Sequence, residues 1–90
     1  MKAEIWSKDM CPYCERAKQL LSKLNIPFDE YILSVGMGES DLAPNQYYAT
    51  KAQLLEKLPT ARTVPQIWID GVHVGGCDEL YAKHERGELV

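Results

Sequence analysis

The stretch Ala3-Glu4-Ile5-Trp6-Ser7-Lys8-Asp9-Met10-Cys11-Pro12-Tyr13-Cys14-Glu15-Arg16-Ala17 decides how this chain folds. Residues 3–7 are short, β-branched and aromatic, which predicts a strand. Lys8, Asp9 and Met10 form a loop that delivers Cys11, and Pro12 fits the first position of a helix, where its missing N–H costs nothing. From there Cys14, Ala17, Leu21 and Leu24 fall on one helical face with Leu20 beside them, while Glu15, Arg16, Lys18, Gln19, Ser22 and Lys23 point elsewhere. Asn25 and Pro27 end that helix.

Two cysteines in C-x-x-C at a helix start carry a specific chemistry. The first backbone N–H groups of a helix have no internal partner, and the helix dipole favours negative charge there. A thiol at Cys11 therefore ionises more readily than a free one, whose pKa is about 8.5. Cys14 is near enough to close a disulfide but lies one turn deeper, away from those N–H groups. The asymmetry gives one attacking and one resolving thiol. Half of a zinc site is the competing reading, and it needs two more ligands. Cys77, His73 and His84 are the candidates, and they form no second pair at ligand spacing.

Working outward, residues 28–33 predict a second strand. Residues 34–49 lack clear periodicity and contain Gly36, Gly38 and Pro44. An unstructured loop of that length is uncommon in a small domain, so part of it is expected to be helical or to face a partner. Thr50 opens a second helix, with Gln53 completing a capping box and Leu54, Leu55 and Leu58 on its apolar side. Residues 66–69 predict a third strand, Asp70-Gly71 a hairpin turn, and residues 72–74 a fourth strand. Gly75-Gly76 breaks the chain before a last helix at 78–85. The order β-α-β, α, β-β-α predicts an α/β fold: a four-stranded mixed sheet, part parallel and part antiparallel, flanked by three or more helices.

Ninety residues make one domain, 1–90. The 46% hydrophobic content is that of a folded chain, and a net charge of −3 argues against a nucleic-acid footprint. No apolar run approaches the ~20 residues that span a bilayer, and no signal-peptide core opens the chain. Three cysteines, two of them in C-x-x-C, point to redox chemistry in a reducing compartment, so the expected location is the cytoplasm.

Cys11-Pro12-Tyr13-Cys14 with Glu15-Arg16-Ala17-Lys18, then Ala61-Arg62-Thr63-Val64-Pro65-Gln66-Ile67, then Gly75-Gly76-Cys77-Asp78 resemble the dithiol glutaredoxins, in the family's order and over nearly the whole chain. The resemblance implies a thioredoxin-like fold and a glutathione-dependent thiol–disulfide oxidoreductase. No cofactor or metal is expected to be bound, and glutathione is the reductant. In the family, the Thr-Val-Pro segment holds a cis proline facing the active-site cysteine, leaving the backbone of Val64 free to pair with the cysteine of glutathione like a short added strand. Read alone, Pro65 fits a strand-opening proline equally well. By the same resemblance the N–H groups of Cys77 and Asp78 meet the γ-glutamyl carboxylate, and the Asp78 side chain meets the adjacent amine. Without the resemblance Asp78 reads as an acid at a helix start, and Cys77 as a small, partly buried cap residue. Lys8 and Arg62 match the cations that neutralise the glycine carboxylate, although each also suits a solvated surface. Gln53 is a further candidate there, and Tyr13 flanks the tripeptide. His73 and His84 read as strand and helix residues.

Two departures stand out. The 34–49 segment exceeds the family's usual link, as in some phage-borne members, and the chain stops soon after its last helix. Expected partners are glutathione and disulfide-containing or glutathionylated proteins. Ribonucleotide reductase is a common client of the family, but no residue singles it out. The chain is expected to be a monomer, with no nucleic-acid or membrane partner. Two other activities compete: a thioredoxin-like carrier fed by a flavin reductase, which Lys8, Arg62 and Asp78 argue against, and a glutathione-ligated iron–sulfur carrier, which Pro12 and the dithiol motif argue against.

Overall fold

The strand–loop–helix junction forms as its spacing predicts. In the computed structural model, which describes residues 1–33 and 42–89, β1 (Ala3–Ser7) leads into α1 (Pro12–Lys23). Asn25 ends α1 in the left-handed conformation at φ 58°, with its N–H donating to the Ser22 carbonyl at 3.1 Å and that of Ile26 to Leu21 at 2.9 Å. The chain then returns as β2 (Phe28–Ile32), parallel to β1.

β3 (Gln46–Tyr48) follows, running parallel to β2. α2 (Lys51–Lys57) carries the expected capping box: Thr50 Oγ1 accepts from the Gln53 N–H at 3.1 Å, and Gln53 Oε1 from the Thr50 N–H at 2.8 Å. β4 (Gln66–Ile69) and β5 (Val72–Gly75) form the hairpin around Asp70-Gly71, and α3 (Cys77–Glu85) closes the fold. The sheet order is β3-β2-β1-β4-β5, with β4 antiparallel to both neighbours.

The expectation of four strands is corrected to five. β3 lies within the stretch read as lacking periodicity, because three residues, Gln-Tyr-Tyr, are too few to show alternation. Tertiary contacts define it instead. The Glu30 N–H donates to the Asn45 carbonyl at 2.8 Å, and Asn45 Nδ2 donates to the Phe28 carbonyl at 3.0 Å. The reading of 34–41 as loop, helix or partner-facing segment lies outside the described residues.

Alternation along the strands sorts the side chains onto two faces. Ala3, Ile5, Ile67 and Ile69 pack with Ala17, Leu20 and Leu21 of α1 and Leu80 of α3. Trp6 and Trp68, on the other face, pack with Leu54 of α2, and Tyr31, Leu58, Ala61 and Val64 pack against them. Trp6 stacks on Tyr31 with centroids 4.8 Å apart, and Tyr31 on Tyr47 at 5.4 Å.

One buried polar cluster interrupts this apolar plan. Glu30 on β2, 3% exposed, accepts from Lys18 Nζ at 3.0 Å and Gln46 Nε2 at 2.9 Å, and the Ser7 hydroxyl completes the set. Burial alone would push this carboxyl up, but the hydrogen bonds from Gln46, Ser7 and Lys18 outweigh it and leave Glu30 below the ordinary carboxylate value. The cluster joins the end of β1, the middle of α1 and the start of β3.

Candidate active site

Cys11 is the N-cap of α1, in extended backbone at φ −113°, with Pro12 directly after it. Its sulfur accepts from the Cys14 N–H at 3.2 Å, one of the donors that a helix start leaves unpaired. The two cysteines are joined as a disulfide, with Cα atoms 5.2 Å apart. Cys14 is 1% exposed and Cys11 7%, so Cys11 is the more accessible residue of the pair. Met10, at 97% exposure, adopts φ 53° in the loop that turns the chain into the cap. The Arg16 guanidinium lies 5.9 Å from the Tyr13 ring centroid and 5.6 Å from that of Tyr81, linking the exposed Tyr13 to α3.

The second wall comes from the loop before β4. The Val64–Pro65 peptide bond is cis, as the family resemblance implied. The Val64 carbonyl oxygen lies 4.0 Å from the Cys11 sulfur. Two cavities meet at Thr63 and Val64. One, of about 290 Å³, is lined by Tyr13, Pro65, Gly76, Cys77, Asp78 and Glu79 in addition to those two residues. The other, of about 330 Å³, has Lys8, Lys51 and Arg62 around a floor that includes Leu33, Leu54, Leu55 and Ala61.

Gly75 and Gly76 set the third wall. Gly75 sits at φ +120°, a backbone region that suits glycine, and a Cβ there would meet Glu79 Oε1 at 2.8 Å. A Cβ at Gly76 would reach the Pro65 carbonyl at 3.4 Å, so the start of α3 lies close against the proline loop. Glu79 Oε1 accepts from the Gly76 N–H at 3.0 Å. The N–H groups of Cys77 and Asp78 occupy the first turn, where no helical acceptor exists. Cys77 is buried, and that burial pushes its thiol up, with Asp78 and Glu79 adding to the effect and Arg16 opposing it.

A sequence model of the family described as Glutaredoxin matches residues 3–74. This chain belongs to the glutaredoxin family. "Glutaredoxin 3" of Escherichia coli K12 is 43% identical over 86 residues, covering 96% of this chain and 89% of the relative. A glutaredoxin of Pseudomonas aeruginosa is 41% identical over 85 residues, covering 94% of this chain and 87% of that one. Among solved structures, a buckwheat glutaredoxin–glutathione complex is 34% identical with a TM-score of 0.72, covering 97% of this chain and 71% of its own. The fold is thioredoxin-like, and the protein is a thiol–disulfide oxidoreductase of the glutaredoxin kind.

The structure brings together all ten site residues expected from this glutaredoxin's sequence. Cys11 and Cys14 form the disulfide; Tyr13, Pro65, Cys77 and Asp78 line one cavity, Lys8 and Arg62 the other, and Thr63 and Val64 both. Gln53 does not line the cationic cavity, and its carboxamide oxygen is committed to the Thr50 cap. Lys51, two residues earlier, is the charged residue that α2 adds to the cavity lining, beside Leu54 and Leu55. Sequence reasoning passed over Lys51 because it reads as an ordinary exposed helix residue; only the placement of α2 beside the Arg62 loop reveals it. Among the described residues no group of three or more His, Cys, Asp or Glu side chains gathers as a metal site, and no helix is long and apolar enough to cross a membrane.

Proposed function

We propose that this chain is a glutathione-dependent oxidoreductase that reduces glutathione mixed disulfides and protein disulfides through Cys11 and Cys14. The observation that carries the proposal is the position of the Cys11 sulfur beside Val64, where a cation-lined cavity meets one bounded by a helix start and a carboxylate. Glutathione has the matching ends. Its glycine carboxylate faces Lys8 and Arg62, its cysteine lies along the Val64 backbone, and its γ-glutamyl carboxylate meets the N–H groups of Cys77 and Asp78, with the Asp78 side chain taking the amine. Tyr13, Thr63 and Pro65 enclose the tripeptide.

In the reaction, the Cys11 thiolate attacks the glutathione sulfur of a mixed disulfide and the client thiolate leaves. A second glutathione thiolate then attacks the Cys11–glutathione bond, giving glutathione disulfide and restoring Cys11. With a protein disulfide, Cys11 forms a mixed disulfide with the client and Cys14 attacks Cys11, releasing the reduced client. Two glutathiones then reduce the Cys11–Cys14 pair. By family likeness the potential lies near the ~−200 to −230 mV of glutaredoxins. The reducing pool that this cycle needs places the protein in the cytoplasm, acting as a monomer on glutathionylated or disulfide-bearing proteins.

A coupled assay with glutathione, glutathione reductase and a small glutathione mixed disulfide tests the reading. Turnover that requires Cys11 is the expected result. Reduction driven by dithiothreitol but not by glutathione would favour a thioredoxin-like carrier instead.

A further inference from the structure

The cationic cavity holds more than a glycine carboxylate requires. Lys2, Lys18, Lys57, Lys83 and Arg86 each pair with a carboxylate; of the five cations that form no ion pair with a described residue, Arg16 lies against the Tyr13 and Tyr81 rings and Lys23 ends α1, which leaves Lys8, Lys51 and Arg62. All three line the same cavity of about 330 Å³, and no acidic side chain is among its described lining residues. Its floor is apolar, with Leu33, Leu54, Leu55 and Ala61. Glycine has no side chain to cover that floor, and one carboxylate does not balance three cations.

We infer that this cavity is a docking site for a protein client whose reactive cysteine is followed by an apolar side chain and then a carboxylate. The inference rests on the glutathione orientation proposed above, in which residues after the bound cysteine run toward Lys8 and Arg62. A client strand laid along Val64 in that direction places its next side chain over Leu54 and Leu55. The following carboxylate then comes within reach of Lys51. Apolar contact with the leucines and charge complementarity with the cations select this segment over the reverse charge pattern. Lys51 is a specificity-determining residue for protein clients and takes no part in bond making.

The exchange balances with the groups already named. The Cys11 thiolate attacks the peptide sulfur of a mixed disulfide with mercaptoethanol and releases the mercaptoethanol thiolate, which takes up a proton. The Cys14 thiolate then attacks Cys11 and releases the peptide thiolate. Two electrons pass from the dithiol to the disulfide, leaving the Cys11–Cys14 bond.

The test uses the prereduced full-length protein and three synthetic peptides, acetyl-Ala-Cys-Leu-Glu-amide, acetyl-Ala-Cys-Leu-Lys-amide and acetyl-Ala-Cys-Gly-Glu-amide, each as its mercaptoethanol mixed disulfide. Single-turnover rate constants are expected to be about tenfold higher for Leu-Glu than for Leu-Lys, and severalfold higher than for Gly-Glu. Lys51→Glu should collapse or invert the Leu-Glu to Leu-Lys ratio, while Lys23→Glu, at the far end of α1, should leave it unchanged. Equal rates for the three peptides, or a ratio that survives Lys51→Glu, would overturn the inference. Turnover of a glutathione mixed disulfide, measured on the same preparation, separates that failure from a failure of the glutathione reading itself.

Discussion

The hydroxyl of Ser7 donates to Oε2 of Glu30 at 2.6 Å inside the sheet, where both residues are almost wholly shielded from water. Ser7 is the last residue of β1, so this bond anchors the strand just before the loop that carries Cys11. Lys18 reaches the same carboxylate from α1, one turn beyond Cys14. Glu30→Ala takes from the Lys18 ammonium its more buried partner, leaving it only Glu15, and leaves the Ser7 hydroxyl and the Gln46 carboxamide without their acceptor. It should cost about 3 kcal/mol or more, read as a lower denaturation midpoint with the m-value unchanged.

The pH dependence of that contribution has a defined sign. The folded Glu30 pKa is lowered from its ordinary value of 4.5, so its stabilisation is present above that value and is lost as pH falls through the folded one. Lys18 is raised from 10.5 by Glu15 and Glu30 against the opposing effect of burial, so its share is present below 10.5 and is lost as pH rises through the folded value. Thermal midpoints of the wild type and Glu30→Gln should differ most at neutral pH and converge only as the pH falls through the lowered, folded value of Glu30.

The Cys14 N–H directed at the Cys11 sulfur stabilises a thiolate more than a thiol. In the reduced protein, alkylation of Cys11 should show a midpoint well below the ~8.5 of a free thiol. Cys77, raised by burial, should stay unmodified at neutral pH until the protein unfolds. Cys11→Ser should abolish activity, and Cys14→Ser should keep deglutathionylation while losing reduction of protein disulfides. Equal loss in both assays by Cys14→Ser would contradict the division of labour.

Charge reversal tests the glutathione clamp. Exposed ion pairs are worth only ~0.2–1 kcal/mol, so neutral single substitutions are weak probes. Lys8→Glu with Arg62→Glu should raise KM for a glutathione mixed disulfide at least roughly tenfold, about 1.4 kcal/mol. Because dithiothreitol has no carboxylate, its reaction should fall much less; parallel losses would place these residues in support of the fold or of the thiolate.

Gly75 should be the least replaceable glycine at the site. Gly75→Ala imposes a side chain at φ +120° and presses it onto Glu79, the acceptor for the Gly76 N–H. A loss of about 1–3 kcal/mol is expected, together with weaker glutathione binding as the start of α3 shifts.

What the sequence reveals here is what local chemistry controls. Pro12, the Thr50–Gln53 box, Asp70-Gly71 and the 3.6-residue apolar period of α1 act within a few residues of themselves, and the corresponding elements appear where they predict. The motif residues assemble because each lies at the end of such an element. β3 was hidden because its strand state depends on Phe28 and Glu30, more than ten residues away. Lys51 and the Ser7–Glu30–Lys18 cluster were hidden for the same reason: nothing adjacent in sequence distinguishes Lys51 from other surface lysines, or Glu30 from an outward-facing strand acid.

The three residues of β3 also govern how this molecule behaves in a crowded solution. β2, Phe-Asp-Glu-Tyr-Ile, is rich in aromatic and β-branched side chains, and without β3 it would present an open row of N–H and C=O groups at the border of the sheet. A strand of three residues covers that row and offers little length of its own for another chain to join. Loosening it, for instance by Asn45→Ala, which removes the bond to the Phe28 carbonyl, turns a protected strand into a sticky one. The outcome to watch for is concentration-dependent self-association, with the redox chemistry at the opposite end of the strands left in place.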